Sequence, residues 1–182
     1  GIPPIFGGGA SASPVVDCNP MLVPETTANG ATWVAATGET YTLNNTGATP
    51  AQIVGSPQLL FNGTAHWIRA VVSLSYPETV YLVANQISSA AGGRMVAGNS
   101  TVSFNFRQNV GPVIEQLSSA SEPGKNSNSS MSLGAYQIYS AGFTNSTADF
   151  TQVNNLAQVT GQNAGGTAIG GITLAANTGT PN

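Results

Sequence analysis

Side chains able to carry out acid–base or nucleophilic chemistry are few and scattered in this chain. His66 is the single histidine, which removes most general-base, cysteine–histidine and histidine-cluster metal arrangements. Serine–histidine–aspartate catalysis would need His66 to meet a carboxylate and a serine in space, and no Gly-x-Ser-x-Gly motif supplies the nucleophile. We therefore interpret His66 as a strand-end or surface residue.

The other reactive residue types do not form a recognisable site either. A glycosidase pair would have to arise from long-range folding, because the carboxylates are dispersed, at Asp17, Glu25, Glu39, Glu78, Glu115, Glu122 and Asp149. The glycine runs at 7–9 and 165–166 lack phosphate-loop spacing. Cys18 is alone, so no disulfide can form within the chain, and we interpret it as a small buried hydrophobe. The sequence predicts a protein that is not an enzyme and has no cofactor or metal site.

Covalent modification is the chemistry that residue spacing does support. Asn-x-Ser/Thr triplets are N-glycosylation acceptors. Each triplet in this chain lies beside a turn signal or at a predicted strand edge, where a bulky glycan could project into solvent. The triplets predict N-glycosylation at Asn44, Asn62, Asn99, Asn128 and Asn145.

Charge is scarce, at 6% of residues where roughly 25% is usual in soluble domains. The basic residues Arg69, Arg94, Arg107 and Lys125 are scattered, so no patch could neutralise a run of phosphates and nucleic acid is excluded as a partner. Uncharged polar residues and glycans would have to keep the protein soluble, which favours a secreted, extracellular protein of the cell surface. No stretch approaches the ~18 apolar residues of a membrane span, and a removed signal peptide or trimming accounts for the start at Gly1.

The elements that would carry these residues are predicted to be strands. Apolar residues recur with period two, for example at Ile68, Ala70, Val72 and Leu74, and no convincing long helix is found. Residues 118–132 are polar and small and predict a long surface loop. Many short strands at this spacing predict an all-β domain, a β-sandwich or a barrel-like fold. The predicted strands cover 32–36, 40–44, 51–60, 66–75, 79–87, 102–107, 112–117, 135–140, 147–153 and 167–175.

The first 24 residues differ from the rest, and we divide the chain into an N-terminal arm, 1–24, and a domain, 25–182. The arm combines apolar clusters with a glycine run and prolines, and Pro3 and Pro4 cannot donate to a sheet ladder. Two interpretations remain open. The arm is either a leader that packs on its own domain or an extended segment that adds to the sheet of another subunit.

With its scarcity of charge, its sequons, its β-rich body and its apolar arm, the chain resembles the subunits of the archaeal thread filaments of Sulfolobales. The resemblance implies an Ig-like or pilin-like β-sandwich in an N-glycosylated surface filament of identical subunits, which supports adhesion or biofilm formation. It further implies donor-strand complementation, in which the arm of one subunit completes the sheet of the next, head to tail. Carried onto this chain, the groove-filling side chains of the arm would be Ile2, Ile5, Phe6, Val15, Val16, Leu22 and Val23.

Other classes of protein remain as alternatives. A monomeric carbohydrate-binding or adhesin module would use Trp33 and Trp67 with tyrosines as a stacking platform, although large aromatic residues more often lie in the core. An extracellular hydrolase would depend on His66. A viral coat protein of similar β-architecture is the remaining alternative.

Overall fold

The fold, described from a computed structural model, consists of short antiparallel strands. No helix occurs among the residues whose structure is described here, and none of those residues therefore belongs to a helix long and apolar enough to cross a membrane. The described residues are 32–35, 37–45, 52–53, 59–61, 66–72, 77–88, 93–98, 105–109, 111, 113–117, 126–166, 171–177 and 180–181.

The larger sheet has eight antiparallel strands. Along the chain they are β1 (Thr32–Val34), β2 (Thr40–Asn45), β5 (His66–Ala70), β7 (Arg94–Ala97), β8 (Asn105–Asn109), β9 (Val113–Leu117), β10 (Ser127–Asn128) and β14 (Ile172–Leu174). Their order across the sheet is β1-β2-β5-β14-β7-β8-β9-β10.

The smaller sheet has four antiparallel strands, β6 (Glu78–Asn85), β11 (Tyr136–Phe143), β12 (Phe150–Val153) and β13 (Val159–Thr160). Their order across the sheet is β13-β12-β11-β6. Two further hairpins pair β3 (Gln52–Ile53) with β4 (Leu59–Leu60) and β15 (Ala176–Asn177) with β16 (Thr180–Pro181).

The hydrophobic core lies between the two main sheets. Alternation along β11 directs Tyr139, Ala141 and Phe143 inward, where they are fully buried. From the larger sheet, Phe106 and Ile114 meet them and are also fully buried. The prediction of an all-β fold is confirmed, and the two sheets are consistent with a β-sandwich. The complete buried cluster is Met95, Val96, Phe106, Ile114, Met131, Tyr139, Ala141, Phe143 and Val153.

One side of this sandwich is closed by hydrogen bonds that join the two sheets. Asn126, just before β10, donates from Nδ2 to the carbonyl of Asp149 at 2.9 Å. Asn128 on β10 donates to the carbonyl of Thr151 at 3.4 Å, and the Thr151 hydroxyl donates to the carbonyl of Asn126 at 3.2 Å. Because these groups are buried, each bond satisfies atoms that would otherwise lose water without replacement.

The strands differ from the sequence predictions in several places, and β13, β15 and β16 are not among the predicted strands. Region 51–60, predicted as one strand, contains the β3–β4 pair, and region 118–132, predicted as a surface loop, contains β10 paired with β9. The sequence pattern does not predict β7. A register shift between Arg94 and Val96 interrupts its pairing with β8, and the last three residues of β7 are all buried, so the strand lacks a period of two.

Candidate interaction edge

The longest unpaired sheet edge among the described strands belongs to β6. β6 pairs with β11 along all of its eight residues, from Glu78↔Phe143 to Asn85↔Tyr136, and no described strand pairs with its other side. The remaining edge strands of the two main sheets, β1, β10 and β13, have only three, two and two residues. Proteins ordinarily keep sheet edges short or cover them, because a long edge offers unpaired N–H and C=O groups to another strand.

The core-facing row of β6 is incompletely covered. Val80, Leu82 and Ala84 pack against the core cluster but remain half-buried, whereas the core-facing Tyr139 and Phe143 on neighbouring β11 are fully buried. The core therefore loses its cover at the β6 side of the smaller sheet. A strand added beside β6 would remove further apolar surface of this row from water, which is favourable by about 25 cal/mol per Å².

The outward face beside this edge is also apolar. Tyr81 and Val83 are 65% and 67% exposed, and Val83 lies directly opposite the exposed Ile138 on β11. Tyr136, on the same face of β11, is exposed as well. We call these four residues the outer apolar patch. Contiguous exposed apolar groups of this kind commonly mark a surface that another molecule covers.

Glu78 begins the core-facing row of β6 and carries its only charge. Both of its carboxylate oxygens are buried and have no hydrogen-bond partner among the described residues, and its register partner is the apolar Phe143. β11, the strand paired with β6, contributes no charged side chain, and its titratable groups are the tyrosines Tyr136 and Tyr139. Burial consequently raises the pKa of the Glu78 carboxyl from 4.5 to about 7.

We expect Glu78 to make the protein less stable as the pH rises. Its folded-state pKa of about 7 lies above the unfolded value of 4.5, so the contribution of Glu78 to the free energy of unfolding is greatest below pH 4.5 and is lost as the pH rises through about 7. Although its two oxygens are covered, the Glu78 residue as a whole is half-buried, and after allowing for solvent screening the change is about 1 kcal/mol.

The measurement is the urea midpoint between pH 4 and 8, compared with that of Glu78→Gln. The variant should lack most of the decrease, because glutamine does not ionise. Glu39→Gln, in the turn between β1 and β2, is the control for loss of a carboxylate. Equal pH profiles for wild type and Glu78→Gln would contradict this account.

The sequence-predicted site residues are divided between the described and undescribed parts of the chain. The described residues do not include Asn62 or Asn99, nor the arm residues Ile2, Ile5, Phe6, Val15, Val16, Leu22 and Val23. The side chains of Asn44 and His66 also lie outside the described part of the structure. Asn128 and Asn145 are described, and their environments differ. Asn145 is exposed, at positive φ in the turn between β11 and β12, whereas the Asn128 side chain is buried and bonded within the fold.

Trp67, one of the two tryptophans proposed for a sugar-stacking platform, is largely covered. It is 8% exposed, and the guanidinium of Arg69 lies 5.0 Å from its ring centroid. This cation–π contact occupies one ring face. The side chain of Trp33 lies outside the described residues.

Asp149 is a structural centre that the sequence reasoning did not single out. Its Oδ1 accepts from the amide and hydroxyl of Thr144 at 2.6 and 2.7 Å, and its Oδ2 accepts from the amide of Ala164 at 2.8 Å. Its carbonyl accepts from Asn126 and from the Thr160 hydroxyl at 2.9 and 2.8 Å. The side chain is fully buried, so it serves to hold these segments together. The available signal was the polar run TNSTAD, in which an Asp follows Thr and Ser at turn spacing.

Searches for similar proteins provide no family assignment. Comparison with protein-family models, with curated proteins and with solved structures finds no significant match to the chain. Within the described residues, no group of three or more His, Cys, Asp or Glu side chains is placed to hold a metal ion. The β6 edge is thus the feature on which a functional proposal can be built.

Proposed function

We propose that this protein is a structural subunit of an extracellular, N-glycosylated cell-surface filament. Its N-terminal arm, residues 1–24, inserts into the sheet of the next subunit, and the copies join head to tail. The domain has an Ig-like or pilin-like β-sandwich architecture that the arm completes. The filament supports adhesion or biofilm formation.

The single observation that carries this proposal is the free edge of β6. Eight consecutive residues there have no strand partner on one side among the described residues, and apolar side chains lie on both faces of the strand. An added strand would receive main-chain hydrogen bonds from the edge and pack its side chains on both faces. Such an arrangement provides affinity without any catalytic group.

The difference between the two sides of the sandwich adds support. At the β10 side, buried hydrogen bonds from Asn126, Asn128 and Thr151 join the two sheets. At the β6 side, one part-buried bond, from Gln108 on β8 to the Oε1 of Gln86 after β6 at 3.3 Å, joins the sheets, and the core-facing Val80 and Leu82 stay half-buried. A head-to-tail contact joins two different surfaces, and it generates an open filament where the rotation between successive copies does not close a ring.

The same proposal distinguishes between the two described sequons. We expect glycan at Asn145, which is exposed in a turn, and none at Asn128, which is 1% exposed. The Asn128 amide already donates to the carbonyl of Thr151 and accepts from the amide of Ser130 at 2.9 Å. A sugar on its Nδ2 would have to displace β12 from β10.

Peptide mass spectrometry of native material measures both occupancies. Asn145→Gln should remove one glycan mass from the intact chain, whereas Asn128→Gln should remove none. Comparable occupancy at the two asparagines would contradict the assignment.

Electron microscopy of the protein purified from its native source tests the proposed function. We expect filaments with a repeat of one subunit. Isolated particles at every protein concentration tried would overturn the proposal.

A further inference from the structure

We propose that the free edge of β6 is the acceptor for the arm, and that residues 14–24 of a second copy add to it as a strand. This inference rests on the proposed function and identifies the two surfaces that meet. Residues 14–24 lie outside the described residues, so their side of the contact is argued from their sequence pattern.

The residue types of segment 14–24 alternate as expected of a strand that covers a core with one of its faces. Residues of one strand point alternately to the two faces of a sheet. One set of alternate positions is entirely apolar and suits the core-facing side, beside the half-buried Val80, Leu82 and Ala84. This set consists of Pro14, Val16, Cys18, Pro20, Leu22 and Pro24. The other set contains the polar residues and suits the outer side, and it consists of Val15, Asp17, Asn19, Met21 and Val23.

The three prolines of the segment are also placed correctly for an added edge strand. Pro14, Pro20 and Pro24 all occupy even positions. Along a strand, successive residues direct their N–H and C=O groups to opposite sides. If the odd residues bond to β6, all three prolines direct their missing donors away from it, where edge strands tolerate proline. In a strand of L-residues, chirality links the face to which a side chain points with the side to which its backbone groups bond. The even residues can therefore face the core, with the odd residues bonded to β6, when the segment runs in one of the two possible directions along β6.

The lengths of β6 and of segment 14–24, and the positions of their charged residues, are compatible with this pairing. At about 3.3 Å per residue, β6 spans roughly 26 Å and an eleven-residue segment roughly 36 Å, so the segment can cover the whole edge. The only charge in the segment is Asp17, which falls in the outer set. Glu78 lies in the core-facing row of β6. The two carboxylates are therefore kept on opposite faces of the sheet.

Cys18 allows a direct test in the full-length chain, because it is the only cysteine and belongs to the core-facing set. Neighbouring strands place opposed Cα atoms about 4.5–5.5 Å apart, within the range that a disulfide can bridge. Single substitutions Val80→Cys, Leu82→Cys and Ala84→Cys scan the core-facing row for the position opposite Cys18. Ala84→Cys is the mildest of these changes in volume. Tyr81→Cys and Val83→Cys on the outer face are the matched controls.

After mild oxidation of assembled protein, we expect at least one core-facing variant to form a ladder of disulfide-linked dimers, trimers and longer species under non-reducing electrophoresis. The outer-face variants should link at least about ten-fold less, because their thiols point to the other side of the sheet. Cys18→Ser in the same variant should abolish the ladder, which separates arm insertion from pairing of two β6 edges.

Three results would overturn the inference. One is no ladder from any core-facing variant, another is equal linking from the outer face, and the third is a disulfide closed within a single chain, which would show that the arm packs on its own domain. Microscopy of the same samples separates the two proposals. Filaments without these crosslinks overturn only the acceptor assignment, whereas absence of filaments from the unsubstituted protein overturns the proposed function as well.

Discussion

A chain shortened to begin at Glu25 should form no filaments under conditions in which the full chain assembles. The shortened chain would retain β6 as the proposed acceptor but lack the proposed donor segment, so the loss should be complete. Electron microscopy and sedimentation of the two proteins at equal concentration measure it. Filaments with an unchanged repeat from the shortened chain would contradict donation by the arm.

The shortened chain also provides a binding assay that does not depend on assembly. A synthetic peptide of residues 1–24 should stabilise it against unfolding, by about 2.7 kcal/mol at a hundred-fold excess over the dissociation constant. The same peptide carrying Val16→Asp and Leu22→Asp is the matched control, because these residues belong to the core-facing set of the proposed donor segment. Equal stabilisation by both peptides would argue against a groove that recognises apolar side chains.

Replacement of Asp149 by alanine should cause a large loss of stability. Its carboxylate accepts hydrogen bonds from the amide of buried Ala164 and from the amide and hydroxyl of Thr144. Alanine would leave the buried amide without an acceptor, at about 1–3 kcal/mol, and would remove charge-assisted bonds of comparable size. We expect a decrease of about 3 kcal/mol or more in the free energy of unfolding, which denaturant titration measures.

Ser146→Ala is the control for this substitution, because it lies in the same turn and keeps the Asn145-x-Thr147 sequon intact. The Ser146 hydroxyl is near the surface, where it accepts from the amide of Ala148 at 3.1 Å and shares a hydrogen bond with the Thr144 hydroxyl at 2.7 Å. Its removal should change the stability by no more than about 0.5 kcal/mol. A loss below about 1 kcal/mol for Asp149→Ala would show that water replaces its acceptor role.

Hydrophobic residue patterns predicted the approximate positions of several strands that line the core. β6, β9 and β11 lie within about three residues of their predicted positions, because each contributes apolar side chains to the core. β8 is shifted from 102–107 to Asn105–Asn109, although its buried Phe106 was placed correctly in a strand.

The hydrophobic pattern does not predict which polar residues are buried or the order of the strands in a sheet. β10 consists of Ser127 and Asn128, and it is held by amide hydrogen bonds of a kind that hydropathy does not register. The edge position of β6 depends on which strands pair across the chain, and a single strand's pattern does not specify that pairing. The sequence shows that Asp149 is a carboxylate but does not predict its partners Thr144 and Ala164. These residues contact Asp149 only when the turn and the segment after β13 have folded.

The edge of β6, which no described strand covers, has a consequence for any row of copies joined through it. One terminal copy keeps a vacant β6, and the copy at the opposite terminus keeps an unused arm, so the fibre has polarity. The two termini can then be blocked by different molecules, a soluble arm peptide at one and an armless domain at the other. In the proposed filament, a molecule that blocks one terminus would confine growth to the other, which would set both the direction and the length of the fibre.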